Sequence, residues 1–274
     1  MHSHSPHSSV ASAPSPFGER LRHWRQHRRL SQLDLAHVAD VSTRHLSYVE
    51  TGRASPSRDL VLRLLNRLDI PLRERNALLT AAGFAPMYRE RALDAPDMAA
   101  ARAAVQRILD CHAPWPALAM DRHWNLVMAN RMVPVLIGDA AAELLQPPMN
   151  VLRLSLHPDG LAPRIANLRQ WREHLFERLR QQIHATGDET LAALLLELKA
   201  YPDSFGGEAV ALPGEHHGVL MPFEFHTPQG ILKLISTTTV FGSPVDITLQ
   251  ELALETFFPA DEATAAILRA QAQA

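Results

Sequence analysis

The sequence predicts a multidomain chain, an all-α domain of five short helices followed by an α+β domain. Three observations predict it. Apolar residues recur at helical spacing, with cap residues between the runs, over 17–83. The stretch 84–97 then carries Phe84-Ala85-Pro86 and Asp94-Ala95-Pro96-Asp97, the composition of a linker. Over 98–274, short apolar runs parted by turn signals alternate with further helical periods. With 274 residues and 46% hydrophobic side chains, the chain is long enough for two cores of ordinary size.

Residues 1–16 are rich in His, Ser and Pro and read as a disordered tail. Phe17, Leu21 and Trp24 at i, i+4 and i+7 then make the buried stripe of a first helix, with Arg20, Arg22, Arg25, Arg28 and Arg29 on or beside its polar side. Ser31 is an N-cap candidate for a second helix, in which Leu35, Ala36 and Ala39 form a narrow, small stripe that lets a partner helix approach. Asp40 stands at the turn, where Asp tolerates the left-handed conformation better than most residues. Ser42 caps a third helix, which buries Leu46 and Val49 and stops at Thr51-Gly52. Pro56-Ser57 starts a fourth helix, with Leu60, Val61, Leu64, Leu65 and Leu68, and Pro71 opens a fifth.

Two capped helices around a tight turn form a DNA-reading device. The third helix leaves Thr43, Arg44 and Ser47 exposed, side chains suited to base edges, since Arg pairs bidentately with guanine and Ser or Thr bonds to several bases. Gln32 and Ser42, at helix N-termini, suit phosphate at the groove rim, and Arg53 completes the expected DNA-binding set. The motif Leu30-Ser31-Gln32, Leu35-Ala36, Ala39, Val41-Ser42, Leu46-Ser47, Glu50, Gly52 and Pro56-Ser57 resembles the Cro/C1-type (XRE family) helix-turn-helix. The resemblance implies a lambda-repressor-like five-helix DNA-binding domain. Asp40 stands where that family usually has Gly, and Leu65-Asn66 where it usually has Leu-Ala.

Net charge is −2 but unevenly placed: residues 1–91 hold 14 Arg against 8 acids, net +6, and the remainder is net −8. A basic module beside an acidic one is the electrostatic footprint of a domain that neutralises phosphates joined to one that does not. The lone Cys111 excludes an internal disulfide framework and fits a reducing, cytoplasmic setting. No run of ~18 apolar residues predicts a membrane span.

In the second domain, 98–112 reads as a helix with Val105, Ile108 and Leu109 on one side. Ala117-Leu118-Ala119-Met120 and 124–129 read as adjacent strands around Asp121-Arg122-His123, and Asn130 as the cap of a helix running to Ile137, ended by Gly138-Asp139. Ile165, Leu168, Trp171, Leu175, Leu179 and Ile183 mark a long helix, and Asp188 starts another with Leu191, Leu194, Leu195 and Leu198. Val219 to Phe225 and Ile231 to Val240 predict a hairpin with a four-residue turn, Thr227-Pro228-Gln229-Gly230. A strand over 248–257 and a helix over 261–272 close the chain. Strands at both ends with helices between describe a sandwich enclosing a cavity, whose expected walls are Met120, Leu126, Met128, Met132, Trp171, Leu175, Leu234 and Ser236.

This half resembles the ligand-binding domain of MmyB-like transcription regulators. The resemblance rests on Pro116 to Asn125, Ala129-Asn130, Asn150 to Leu154, His157-Pro158-Asp159-Gly160, Thr239 to Pro244 and Phe257 to Asp261. It implies a PAS-like fold with a hydrophobic pocket, fatty-acid-like molecules being one ligand type. His2, His4 and His7, the His216-His217 pair with His226, and Cys111-His112 show no metal-ligand spacing of known type, so no metal or cofactor is expected beyond a bound apolar molecule. With no nucleophile motif, phosphate loop or paired carboxylates, no enzyme is expected. The expectation is a homodimeric regulator on a pseudo-palindromic double-stranded operator, its DNA binding modulated by an apolar ligand. The alternatives are a protein-interaction module and a pocket enzyme acting on a hydrophobic substrate.

Overall fold

The computed structural model describes residues 16–138, 140–202, 221–242 and 246–273. Residues 1–15 of the expected tail, Asp139, the His216-His217 pair, Val219 and Ser243-Pro244 therefore lie outside the described residues, whereas Pro16 opens the first helix. The chain divides into two compact units, the first reaching Glu90 and also taking in Asp246 and Ile247, the second beginning at Arg91 and resuming at Thr248. That boundary falls inside the expected linker because Asn76 holds the chain beyond residue 84: its Oδ1 accepts from the amides of Met87 (2.9 Å) and Tyr88 (3.0 Å), and its Nδ2 donates to Tyr88 O.

The first unit is helical: α1 (Pro16–His27), α2 (Gln32–Val38), α3 (Thr43–Glu50), α4 (Arg58–Arg67) and α5 (Leu72–Ala81). Ser31, Ser42 and Ser57 cap α2, α3 and α4, each accepting from an amide in the first turn. Asp34 returns a bond to the Ser31 amide at 3.0 Å, which makes the start of α2 a reciprocal capping box. Its carboxyl is held below the ordinary value by the Ser31 hydroxyl and amide. Leu35, Ala36, Leu46 and Val49 bury against Phe17, Leu21 and Trp24 on one side and Leu60, Leu64 and Leu78 on the other. At Gly18 the approach is closest, since a Cβ there would lie 2.5 Å from Glu50 O and 2.7 Å from Val49 O.

The second unit is built on a five-stranded antiparallel sheet of order β2-β1-β5-β4-β3. The strands are β1 (Ala117–Met120), β2 (Leu126–Ala129), β3 (Pro222–Thr227), β4 (Gly230–Val240) and β5 (Ala253–Pro259). The helix α6 (Ala99–Cys111) packs Val105 and Leu109 on Ala117, Ala119 and Leu254. A larger core gathers Phe223, Phe225, Leu232, Leu234 and Phe257 with α7 (Val133–Ile137), α8 (Val151–Leu156), α9 (Leu168–Thr186) and α10 (Glu189–Lys199). After α11 (Ile247–Gln250) and β5, α12 (Glu262–Gln273) buries Leu268 in that core.

Several local expectations need correction. Ile108 is exposed, at 47%, while Val105 and Leu109 face the sheet. The hairpin turn has two residues, Pro228-Gln229, not four, because Thr227 and Gly230 still pair and Gly230 adopts φ 137°. The segment expected as one strand over 248–257 begins as α11, and only 253–259 joins the sheet. Ile165 lies ahead of α9, bridged to Phe225. Asn130 does not cap α7, which starts at Val133 after Met132; it is 2% exposed and fastens the end of β2. Its Oδ1 accepts from Ala117 N (3.2 Å) and Met132 N (3.1 Å), and its Nδ2 donates to Leu109 O (3.1 Å) and Trp115 O (2.8 Å).

Candidate nucleic-acid interface and apolar cavity

The turn between α2 and α3 follows from Asp40, at φ 54°, which reverses the chain so that Val41 N reaches Ala36 O at 3.0 Å. With Leu46 and Val49 buried, α3 turns Ser42 and Arg44 to solvent, while Thr43 and Ser47 are half-buried. Arg44 is not extended alone. Its Nε donates to the Tyr48 hydroxyl at 3.1 Å with the guanidinium 5.4 Å from the ring centre, and Arg53 stands 6.0 Å from the same ring. Tyr48 therefore gathers two expected DNA-binding arginines, a role the sequence signalled through its i+4 spacing from Arg44. Gly52, at φ 74°, supplies the bend that brings Arg53 back, its amide donating to Tyr48 O at 2.8 Å.

Gln32 and Ser42 serve the scaffold as well as the surface. Ser42 Oγ accepts the His45 amide, and Gln32 Nε2 donates to Glu50 Oε2 at 2.8 Å. Glu50 is fully buried at 0% exposure, and Arg25, 8% exposed, pairs with it through Nε (2.7 Å) and Nη2 (3.0 Å). Burial alone would raise the Glu50 carboxyl, but hydrogen bonds from Arg25 and Gln32 and the charges of Arg25 and Arg22 outweigh it and hold the group below its ordinary value. One carboxylate thus ties α1, α2 and α3 together.

The second unit holds an apolar cavity of about 90 Å³ between the sheet and α7–α9. Of the expected wall residues, Leu126, Trp171 and Leu175 line it. Met120, Met132 and Leu234 lie in the surrounding core without lining it, and Ser236 is half-buried on β4. Met128 packs instead with Leu109 and Ala119 beside α6, since it pairs with Ala119 in β1 and shares that residue's face. The lining that sequence reasoning missed comes from short, irregular elements and distant strands: Val133, Leu136 and Ile137 of α7, Leu152 and Leu154 of α8, and Phe223 and Phe257 from the sheet.

Two polar side chains reach this lining. Ser155 Oγ accepts from Trp171 Nε1 at 3.0 Å, and Glu255, 5% exposed, is held by Arg178 through Nη1 (3.0 Å) and Nη2 (3.1 Å). Arg178 also donates to Thr238 Oγ1 and lies 4.7 Å from the centre of the Trp124 ring. One turn earlier on α9, burial and the Arg178 charge hold the His174 imidazole below its ordinary value. Among the described residues, no cluster of three or more His, Cys, Asp or Glu could hold a metal ion, and no helix is long and apolar enough to cross a membrane.

Comparison with known proteins assigns both units. Residues 16–78 match a helix-turn-helix domain model, and residues 101–270 match that of the MmyB-like transcription regulator ligand binding domain. Among solved structures, the restriction-modification controller protein C.AhdI from Aeromonas hydrophila is 36% identical, over 22% of this chain and 92% of its own, with a TM-score of 0.22. The clp gene regulator ClgR from Corynebacterium glutamicum is 24% identical, over 36% of this chain and 93% of its own, with a TM-score of 0.23. No curated protein matches the chain. With a family match running through most of its length behind a helix-turn-helix, the chain belongs to the MmyB-like transcription regulators.

Proposed function

We propose that this regulator reads a pseudo-palindromic operator as a homodimer, with Arg44, Thr43 and Ser47 at base edges, Arg53, Ser42 and Gln32 toward the backbone, and a fatty-acid-like apolar molecule in the cavity as its effector. The observation that carries the DNA-reading half is the pair Arg44 and Arg53, gathered on Tyr48 at the exposed side of α3 in the basic part of the chain. An arginine positioned beside a helix N-terminus is suited to a guanine edge, and two such helices about one helical turn apart suit a two-fold site. The effector alters DNA binding only if it has different affinities for two states of the protein.

Selection from a random duplex pool tests the reading, followed by gel shifts with the recovered site. Arg44→Ala is expected to weaken binding to that site by about 1–3 kcal/mol, roughly five- to 150-fold, and to relax preference at one base position, with thermal unfolding unchanged. If the wild-type protein enriches no sequence from the pool, operator recognition is ruled out.

A further inference from the structure

Glu50 has more positive charge around it than its single carboxylate balances. That carboxylate is fully buried and takes three hydrogen bonds: Oε1 accepts from Arg25 Nε at 2.7 Å, and Oε2 accepts from Arg25 Nη2 at 3.0 Å and Gln32 Nε2 at 2.8 Å. Arg22 stands beside them, its Nε 3.6 Å from Oε2, too far for a hydrogen bond. Among the described residues Arg22 donates none, whereas two other arginines of this region are engaged, Arg25 also by Leu30 O and Arg28 by Leu68 O and Asp69 O. Two guanidinium charges against one carboxylate leave one positive charge in excess. Exposure says where it lies: the Arg22 side chain is 43% exposed, against 10% for Arg25 and 0% for Glu50.

The third helix relates this charge to the reading surface. Thr43, Ser47 and Glu50, at i, i+4 and i+7, fall along one side of α3, so the stripe that carries two residues proposed for base edges ends at the carboxylate beside Arg22. A cation at the end of such a stripe suits the rim of the groove, where the phosphates lie. Gln32, on the same carboxylate, brings no charge, and its amide nitrogen is already held by Glu50. We infer that Arg22 binds a phosphate of the DNA backbone, a contact that adds affinity without sequence preference. The inference rests on the reading of α3 as the helix that meets base edges.

Arg22→Gln in the full-length protein tests this, by fluorescence-anisotropy titration of the recovered site and of a scrambled duplex of the same length over a range of salt. Each phosphate contact adds about 0.9 to the slope of log affinity against log salt, so the variant's slope is expected to be shallower by about 0.9 on both duplexes. Between about 50 and about 200 mM salt, the wild-type protein should then lose about 3.5-fold more affinity than the variant. Arg22→Lys keeps the charge and is expected to keep the wild-type slope. An unchanged slope in Arg22→Gln, or a loss confined to the recovered site, would overturn the contact while leaving operator recognition in place. So would failure of Arg22→Gln to fold, since Glu50 would then require the charge that is here in excess. If no sequence is selected but the scrambled duplex gives the expected slope difference, the phosphate contact stands and the operator reading falls. If the wild-type protein binds neither duplex, both fall.

Discussion

Glu50→Ala is expected to destabilise the first unit by about 3–5 kcal/mol, measured as a lower denaturant midpoint of its unfolding transition. The cost arises less from the lost carboxylate than from what remains: Arg25 is left charged and buried, with Leu30 O as its one remaining acceptor, and Gln32 loses its anchor. The same group sets an acid limit. Its folded value lies below the ordinary glutamate value, so its contribution is fully present above the unfolded value and is lost as pH falls through the folded one. The wild-type unit should therefore lose stability in acid more steeply than Glu50→Ala. Equal acid slopes, or a loss below about 1 kcal/mol, would show that the three helices do not depend on this pair.

Asn130→Ala is expected to cost the second unit about 3 kcal/mol or more, because four backbone groups lose a hydrogen bond at once and of these Leu109 O keeps the His112 amide. Ala117 N and Met132 N lose an acceptor, and Leu109 O and Trp115 O lose a donor, at the junction of α6, β1 and β2. The control is Gln106→Ala, half-buried on α6, whose amide donates to Asp110 Oδ1 at 2.8 Å and reaches Ala129 O only at 3.5 Å, and which should change stability by less than about 1 kcal/mol. If the two variants unfold at the same denaturant concentration, Asn130 is not the fastening it is taken for.

Local chemistry made the first unit legible. Ser31, Ser42, Ser57 and Asp40 act within one turn of their own position, so caps and turn could be read directly from residue type and spacing. What spacing could not reveal was Glu50, a lone acid whose partner is 25 residues away. The second unit was legible as an alternation of strands and helices, but β1 pairs with β5, far along the chain, and no period in the sequence encodes that meeting. The cavity suffered most, because its walls combine the five-residue α7 and six-residue α8, too short to show a face, with strands brought in from the far end. Met128 illustrates the limit: alternation showed that it faced one side of a sheet, and only the pairing with Ala119 decided which.

The division of labour along α3 has a consequence for how this regulator can diverge. Leu46, Val49 and Glu50 carry the packing, and Gly18 fixes how near α1 lies, while Arg44 is exposed and Thr43 and Ser47 are only half-buried. Under the proposed reading of the operator, exchanging these residues for those of another regulator changes the target with less disturbance of the scaffold than exchanging the buried ones. Gly18 is the exception on that frame, because even one added methyl group would press on the carbonyls that end the helix.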